Sequence, residues 1–212
     1  MSSLQKLLEG NKKFLQQIQK DHPEIFHQLA ESQKPEFLWI GCSDSRVPPE
    51  VITNQPPGTI FVHRNIANQI SPNDMSVLSI IYFSLNYLKI KNIIVCGHTN
   101  CGGVFASLSL AENKGSYGFL ENWLHPIKEY YNSIKKELLQ EENVHEVNEQ
   151  NQKHVADKLS EKNVLKQMEV FKKLSIVQEY LQKENTTLNV YGMIYDVRNG
   201  ELRLLKEEQI KS

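Results

Sequence analysis

Two short apolar runs in this chain end in side chains that bind metals. The first, Phe37-Leu38-Trp39-Ile40-Gly41, carries no charge and opens directly into Cys42, Asp44 and Arg46, three functional side chains at alternate positions. The second, Asn92-Ile93-Ile94-Val95-Cys96-Gly97, delivers His98 and Cys101 just before Gly102-Gly103. Uncharged runs of this length read as buried strands. Two strand ends therefore present thiolate, carboxylate, imidazole and thiolate. Zinc takes thiolate and imidazole in tetrahedral sites, and two of its ligands commonly share one tight loop, as His98-x-x-Cys101 does.

The rest of the chain supplies a frame for those ends. Thr59-Ile60-Phe61-Val62-His63-Arg64 is a further strand, and the turn residues Val47-Pro48-Pro49-Glu50 and Pro56-Pro57-Gly58 separate it from the first. Ser71-Pro72-Asn73-Asp74 is a helix start leading into Met75 to Leu88, whose nearly all-apolar surface predicts burial on most sides. That helix feeds the strand ending at His98, so strand, helix and strand make a crossover and a parallel sheet. Ser3 to Lys20 reads as an amphipathic helix that needs an apolar surface to lie on, and Glu24 to Ser32 as a second short helix. Later helices are expected from about Val104, over Trp123 to Gln140 and over Val164 to Leu181, with a loop at Lys114 to Gly118 and a strand at Leu188 to Tyr195. Glu141 to Lys162 is strongly polar with weak periodicity and reads as an exposed helix or a mobile excursion, with His145 and His154 solvated. Asn199-Gly200 between two strand-like stretches signals a type I′ hairpin. The expected fold is α/β: one domain over 1–212, a mainly parallel central sheet flanked by helices, an antiparallel edge hairpin near the C-terminus, and an N-terminal helical arm over 1–34.

With 212 residues, 40% hydrophobic and 23% charged, the chain can bury a sizeable core in one domain. Its net charge of -1 offers no field to attract nucleic acid or an anionic membrane surface, so the expected partner is a small molecule. The stretch Met1 to Phe14 lacks a signal-like apolar core, and no later run approaches the roughly 20 apolar residues that span a bilayer, which points to the cytoplasm. Three cysteines cannot all pair, and two already belong to the metal-like set. Cys96 reads as a small apolar residue in a buried strand. Trp39 and Tyr195 read equally as core aromatics, Arg64 as an interface or surface ion-pair residue, and His63 as hydrogen-bonded scaffold rather than a proton relay.

A structural zinc knuckle is the plain alternative for Cys42, His98 and Cys101. Such a site usually closes with a fourth Cys or His, whereas this sequence offers Asp44, two residues from Cys42 and two from Arg46. A carboxylate can leave a metal when a cation waits to receive it bidentately, opening a position for water. Here the sequence resembles the β-class carbonic anhydrases, on CSDSR at Cys42 to Arg46, HRNIAN at His63 to Asn68, and CGHTNCGG at Cys96 to Gly103, in that family's order and spacing. The resemblance implies Cys42, His98 and Cys101 as zinc ligands, with Asp44 able to join them, and Asp44 with Arg46 as the catalytic dyad. It also implies one Zn2+ per chain, an N-terminal arm around a partner, and dimers that often pair into tetramers.

The implied reaction is reversible hydration of carbon dioxide to bicarbonate and a proton, with zinc hydroxide as nucleophile. Two thiolates offset the metal charge, so activity is expected to rise towards alkaline pH. Val47, Phe61, Phe83, Gly102 and Gly103 are expected to line the substrate pocket, Phe83 standing where many members have a tyrosine. Trp39, Arg64 and Tyr195 resemble the bicarbonate-binding trio of the bacterial type II subclass, in which bicarbonate favours a closed state with the aspartate on zinc. Two other readings stay open: the same fold acting on carbon disulfide or carbonyl sulfide, and a non-catalytic, bicarbonate-responsive zinc protein.

Overall fold

In the computed structural model, which describes residues 2–211, the apolar runs pair into one sheet. Its strands are β1 (Phe37–Cys42), β2 (Ile60–Asn65), β3 (Asn92–His98), β4 (Thr187–Asp196) and β5 (Glu201–Lys211), in the order β2-β1-β3-β4-β5. The pairs β1·β2, β1·β3 and β3·β4 are parallel, and β4·β5 is antiparallel. The chain steps from β1 to one side through the short helix α3 (Pro49–Ile52), then crosses back over β1 through α4 (Met75–Asn86) to reach β3. Connections therefore leave the C-terminal ends of β1 and β3 in opposite directions. That divergence opens the crevice where parallel α/β sheets bind ligands.

Alternation along the strands sorts the two faces. Leu38, Ile40, Ile93, Val95 and Val190 point to the larger core, which they share with Val77, Ile81 and Leu85 of α4. Trp39, Ile94 and Cys96 point the other way, amid half-buried Val62, Tyr191, Met193 and Tyr195. Contrary to the sequence expectation, α4 is not buried on most sides. It buries Val77, Ile81, Ser84 and Leu85, while Met75, Tyr82 and Phe83 on the helix and Tyr87 just beyond it are exposed. An all-apolar helix surface does not say which side the rest of the chain covers.

The polar stretch 141–162 departs most from expectation. After α5 (Gly102–Ala111) and α6 (Leu120–Glu141), its second half opens α7 (Gln152–Lys173), a helix that is neither exposed nor an excursion. Val155, Ala156, Leu159, Val164, Met168 and Phe171 are buried there, and so are Asp157, Ser160, Asn163 and Gln167. Polar residues on the buried face masked the apolar periodicity. His145 and His154 are exposed as expected, His154 with its Nε2 2.6 Å from a Glu142 carboxylate oxygen. The helix expected over 164–181 breaks at Leu174, whose extended backbone (φ -62°, ψ 132°) ends α7 and begins α8 (Ser175–Glu184).

The hairpin is present, but its turn is not type I′. That turn needs positive φ at both central residues, and only Gly200 (φ 79°) has it, Asn199 having none. The loop runs over 197–200 between the paired residues Asp196 and Glu201, closed by the Gly200 amide on the Asp196 carbonyl at 2.8 Å. The Asp196 carboxylate also accepts from the Arg198 amide at 2.9 Å, and this side-chain turn lengthens the connection.

Residues 1–34 form a separate compact unit. Its helices are α1 (Ser3–Asp21), opened by a capping box between Ser2 and Gln5, and α2 (Ile25–Glu31). Leu4, Leu7, Leu8, Phe14 and Leu15 of α1 are all exposed. Among the described residues no helix is long and apolar enough to cross a membrane.

Candidate metal centre

Cys42 ends β1, His98 ends β3 and Cys101 caps α5, so the crevice gathers all three. Their donor atoms lie within 4.8 Å of one another, and all three residues are buried. Cys42 Sγ is 3.9 Å from Cys101 Sγ, too far for a disulfide and close to the ~3.8 Å that separates two thiolates sharing a tetrahedral zinc at about 2.3 Å. His98 Nδ1 lies 2.8 Å from the Thr99 carbonyl, which can only accept. Nδ1 therefore carries the proton and Nε2 keeps its lone pair, the arrangement that orients a metal-binding imidazole. Nε2 is buried with no hydrogen-bond partner, which normally costs about 1–3 kcal/mol. A cation at the centre of the three donors removes that penalty, and two sulfurs with one imidazole suit zinc. The Cys101 hydrogen bond draws the Cys42 thiol well below its ordinary pKa, aided by His98, and the same bond with burial pushes Cys101 up. One thiolate is thus favoured before any metal binds.

Asp44 stands off this cluster on Arg46. Arg46 Nε donates to Asp44 Oδ1 at 2.9 Å and Nη2 to Oδ2 at 2.7 Å, while the Arg46 amide donates to Oδ1 at 3.0 Å. These bonds hold the carboxyl far below the usual carboxylate range. The same bond set recurs at Asp196-x-Arg198, with 2.9 Å from the amide, 2.8 Å from Nε and 2.7 Å from Nη2. The fork is therefore a local property of Asp-x-Arg after a strand, and its neighbours tell the two apart. Asp196 accepts from the Thr99 hydroxyl at 3.0 Å. Asp44 Oδ2 faces His98 Nε2 at 3.8 Å, so it borders the space where a metal and its substrate would meet.

Residues 37–202 match the family model described as carbonic anhydrase. The chain is 42% identical over 202 residues to the carbonic anhydrase of Candida albicans, covering 95% of this chain and 67% of that protein. It also superposes on a β-carbonic anhydrase of Aspergillus fumigatus with TM-score 0.84 at 36% identity, covering 97% of this chain and 91% of that one. A tetrameric β-carbonic anhydrase of Sordaria macrospora gives TM-score 0.84 at 31% identity over 97% of this chain and 98% of that one. The chain belongs to the β-carbonic anhydrases.

Within this carbonic anhydrase the other residues singled out by sequence lie at differing distances from the cluster. Val47 is buried in the same cluster as Cys42 and Cys101. Gly103 leaves room for Ile66, whose Cγ2 would lie 2.6 Å from an added Cβ, whereas Gly102 faces open space and starts α5 two residues before the expected position. Phe61 and Phe83 stack on each other at 5.8 Å, but Phe61 pairs with Leu38, four residues before Cys42. Along a strand that is about 13 Å from the cluster of the same chain.

Trp39, Arg64 and Tyr195 share the second sheet face by register: Arg64 pairs with Gly41, and Tyr195 packs against the Trp39, Ile94 and Cys96 cluster. A Cβ at Gly41 would collide with the Trp39 indole, so glycine lets the ring lie along its own strand. Arg64 Nε donates to the Cys42 carbonyl at 2.7 Å and Nη2 to the Asp44 carbonyl. His63 is buried scaffold, its Nε2 paired with Asn65 Nδ2 at 3.2 Å. Cys96 is a buried thiol that burial pushes up, out of reach of ionisation near neutrality.

Sequence reasoning missed the residues that hold the loop between His98 and Cys101. Thr99 bonds Asp196, the Asn100 amide donates to Asp157 at 2.6 Å, and Asp157 faces Arg198 Nη1 at 3.4 Å. The repeated Asp-x-Arg spacing was the one available signal. Nothing local pointed to Asp157.

Proposed function

We propose that this carbonic anhydrase carries out zinc-dependent, reversible hydration of carbon dioxide to bicarbonate and a proton. The reading rests most on one observation: a carboxylate held ionised by Arg46 sits 3.8 Å from the unpartnered nitrogen of a buried Cys-His-Cys set. Cys42, His98 and Cys101 would hold the zinc. When bound, zinc acts as a Lewis acid that makes water a competent nucleophile near neutral pH. Asp44 accepts a hydrogen bond from that nucleophile and orients it towards the carbon. Arg46 keeps Asp44 ionised and off the ligand set. Buried Val47 supplies apolar wall against which neutral carbon dioxide loses no hydrogen bonds.

Phe61 and Phe83 fit the pocket as a contribution from a second copy. They lie a strand's length from their own cluster, beside exposed Tyr87 and Tyr82, and α1 exposes a leucine face that water alone would not favour. A dimer, or a tetramer like the Sordaria relative, covers both. Bicarbonate inhibition through Trp39, Arg64 and Tyr195 belongs to the same reading. Arg64 already grips the carbonyls of Cys42 and Asp44, so an anion competing for its guanidinium would loosen the segment that carries the dyad. The proposed compartment is the cytoplasm.

Stopped-flow hydration on protein of known zinc content, with and without a chelator, tests the proposal. Activity that tracks zinc supports it. Zinc-loaded protein with no hydration at alkaline pH would overturn it in favour of another cumulated substrate or a binding role.

A further inference from the structure

The buried face of α7 carries polar side chains that hold loops. Gln167 Oε1 accepts from the Ile70 amide at 2.8 Å, Asn163 Nδ2 donates to the Ala67 carbonyl at 3.1 Å, and Asp157 Oδ1 accepts from the Asn100 amide at 2.6 Å. Positions 157, 160, 163 and 167 are spaced three, three and four apart and so share one helix face. Two of these bonds serve the segment after β2. The third serves the loop between His98 and Cys101.

Asp157 reaches further than the other two. Asn100 has left-handed backbone (φ 53°), and its carbonyl accepts from Arg46 Nη2 at 3.1 Å while its amide donates to Asp157. Asp157 Oδ2 faces Arg198 Nη1 at 3.4 Å, and Arg198 is itself held by Asp196. A continuous chain of polar contacts therefore runs from Arg198 through Asp157 and Asn100 to Arg46. The Asp44–Arg46 fork forms locally, as the Asp196–Arg198 fork does, but a local fork can swing as a unit on the chain after β1. Arg64 holds the Cys42 and Asp44 carbonyls, and the Asn100 carbonyl ties the Arg46 end of the fork to the loop that follows His98.

We infer that Asp157, backed by Arg198, is a positioning residue: through the Asn100 peptide it sets where Arg46, and hence the Asp44 carboxylate, lies against the ligand set. This inference rests on the hydration reading above. Asp157→Ala should keep zinc at the wild-type level while kcat falls about ten- to a hundredfold with little change in KM, as for lost outer-shell partners elsewhere. Asp157→Asn keeps an acceptor oxygen and should recover most of the rate. In an Arg46→Ala background, Asp157→Ala should add no further loss, because the two act through one another.

A crystal structure of Asp157→Ala should show Arg46 Nη2 beyond hydrogen-bond distance of the Asn100 carbonyl. If Asp157→Ala does not fold, Asp157→Ser, too short to reach the Asn100 amide, carries the same expectations. Wild-type kcat in the Ala or Ser variant, equal losses in Asp157→Asn, or full additivity with Arg46→Ala would each overturn the inference. Should zinc-loaded wild-type protein prove inactive, the hydration reading fails, and the crystal structure, which needs no turnover, still decides whether Asp157 holds Arg46.

Discussion

Two Asp-x-Arg forks of equal geometry sit at the ends of β1 and β4, and their different surroundings predict different consequences. Asp196 is depressed in pKa chiefly by the Arg198 side chain, so its pairing stabilises the fold above the unfolded carboxyl pKa of about 4 and is lost as pH falls below it. Asp196→Asn should therefore lower the melting temperature at pH 7, with the difference from wild type shrinking in acid below about pH 4. A constant difference from pH 7 to pH 3 would show that the ionised pair contributes nothing. Replacing Cys42 or Cys101 by Ala should cost zinc itself, measured by metal analysis after dialysis, because the set falls to two donors and the neighbouring Asp44 carboxylate is held on Arg46. The Cys-His-Cys cluster was legible in the sequence because cysteine and histidine at strand ends have few other uses. The Asn100 and Asp157 contact was not, since its partners lie 57 residues apart and are joined by a backbone amide that has no sequence signature.

Among the elements, α7 shows where sequence pattern fails and why. β1 and β3 read correctly because their apolar runs are continuous and buried on both faces, whereas α7 buries Asp157, Ser160, Asn163 and Gln167 beside Val155 and Leu159, which hides the helical period. Tertiary hydrogen bonds of Asp157, Asn163 and Gln167, invisible to local pattern, make those three core residues. Leu159 is fully buried in the cluster that includes Cys42 and Cys101, so Leu159→Ala should cost about 2–5 kcal/mol in denaturant unfolding. A loss below about 1 kcal/mol would mean that this end of α7 is not part of the core. The hairpin is present as expected, and only its turn type failed: Asn-Gly signals a tight turn, but the Asp196 side chain captured the Arg198 amide and set a longer loop.

For the whole molecule, the parallel sheet, its crossover and its switch point follow from strand order, and the metal-like cluster sits at that point. What one chain leaves uncovered is the leucine face of α1 and the aromatic side of α4, including Phe83 at 39% and Tyr87 at 68% exposure. A paired Leu7→Glu and Leu8→Glu variant should shift sedimentation towards smaller species, and unchanged sedimentation would remove α1 from the assembly. In the proposed function the buried Cys-His-Cys set and the Asp44–Arg46 fork act as one hydration centre. Zinc content and stopped-flow hydration rate measured on a single Asp44→Asn preparation test it most directly. Zinc at the wild-type level with the rate reduced about a hundredfold or more is expected; a wild-type rate from that zinc-replete variant would show that Asp44 takes no part in hydration.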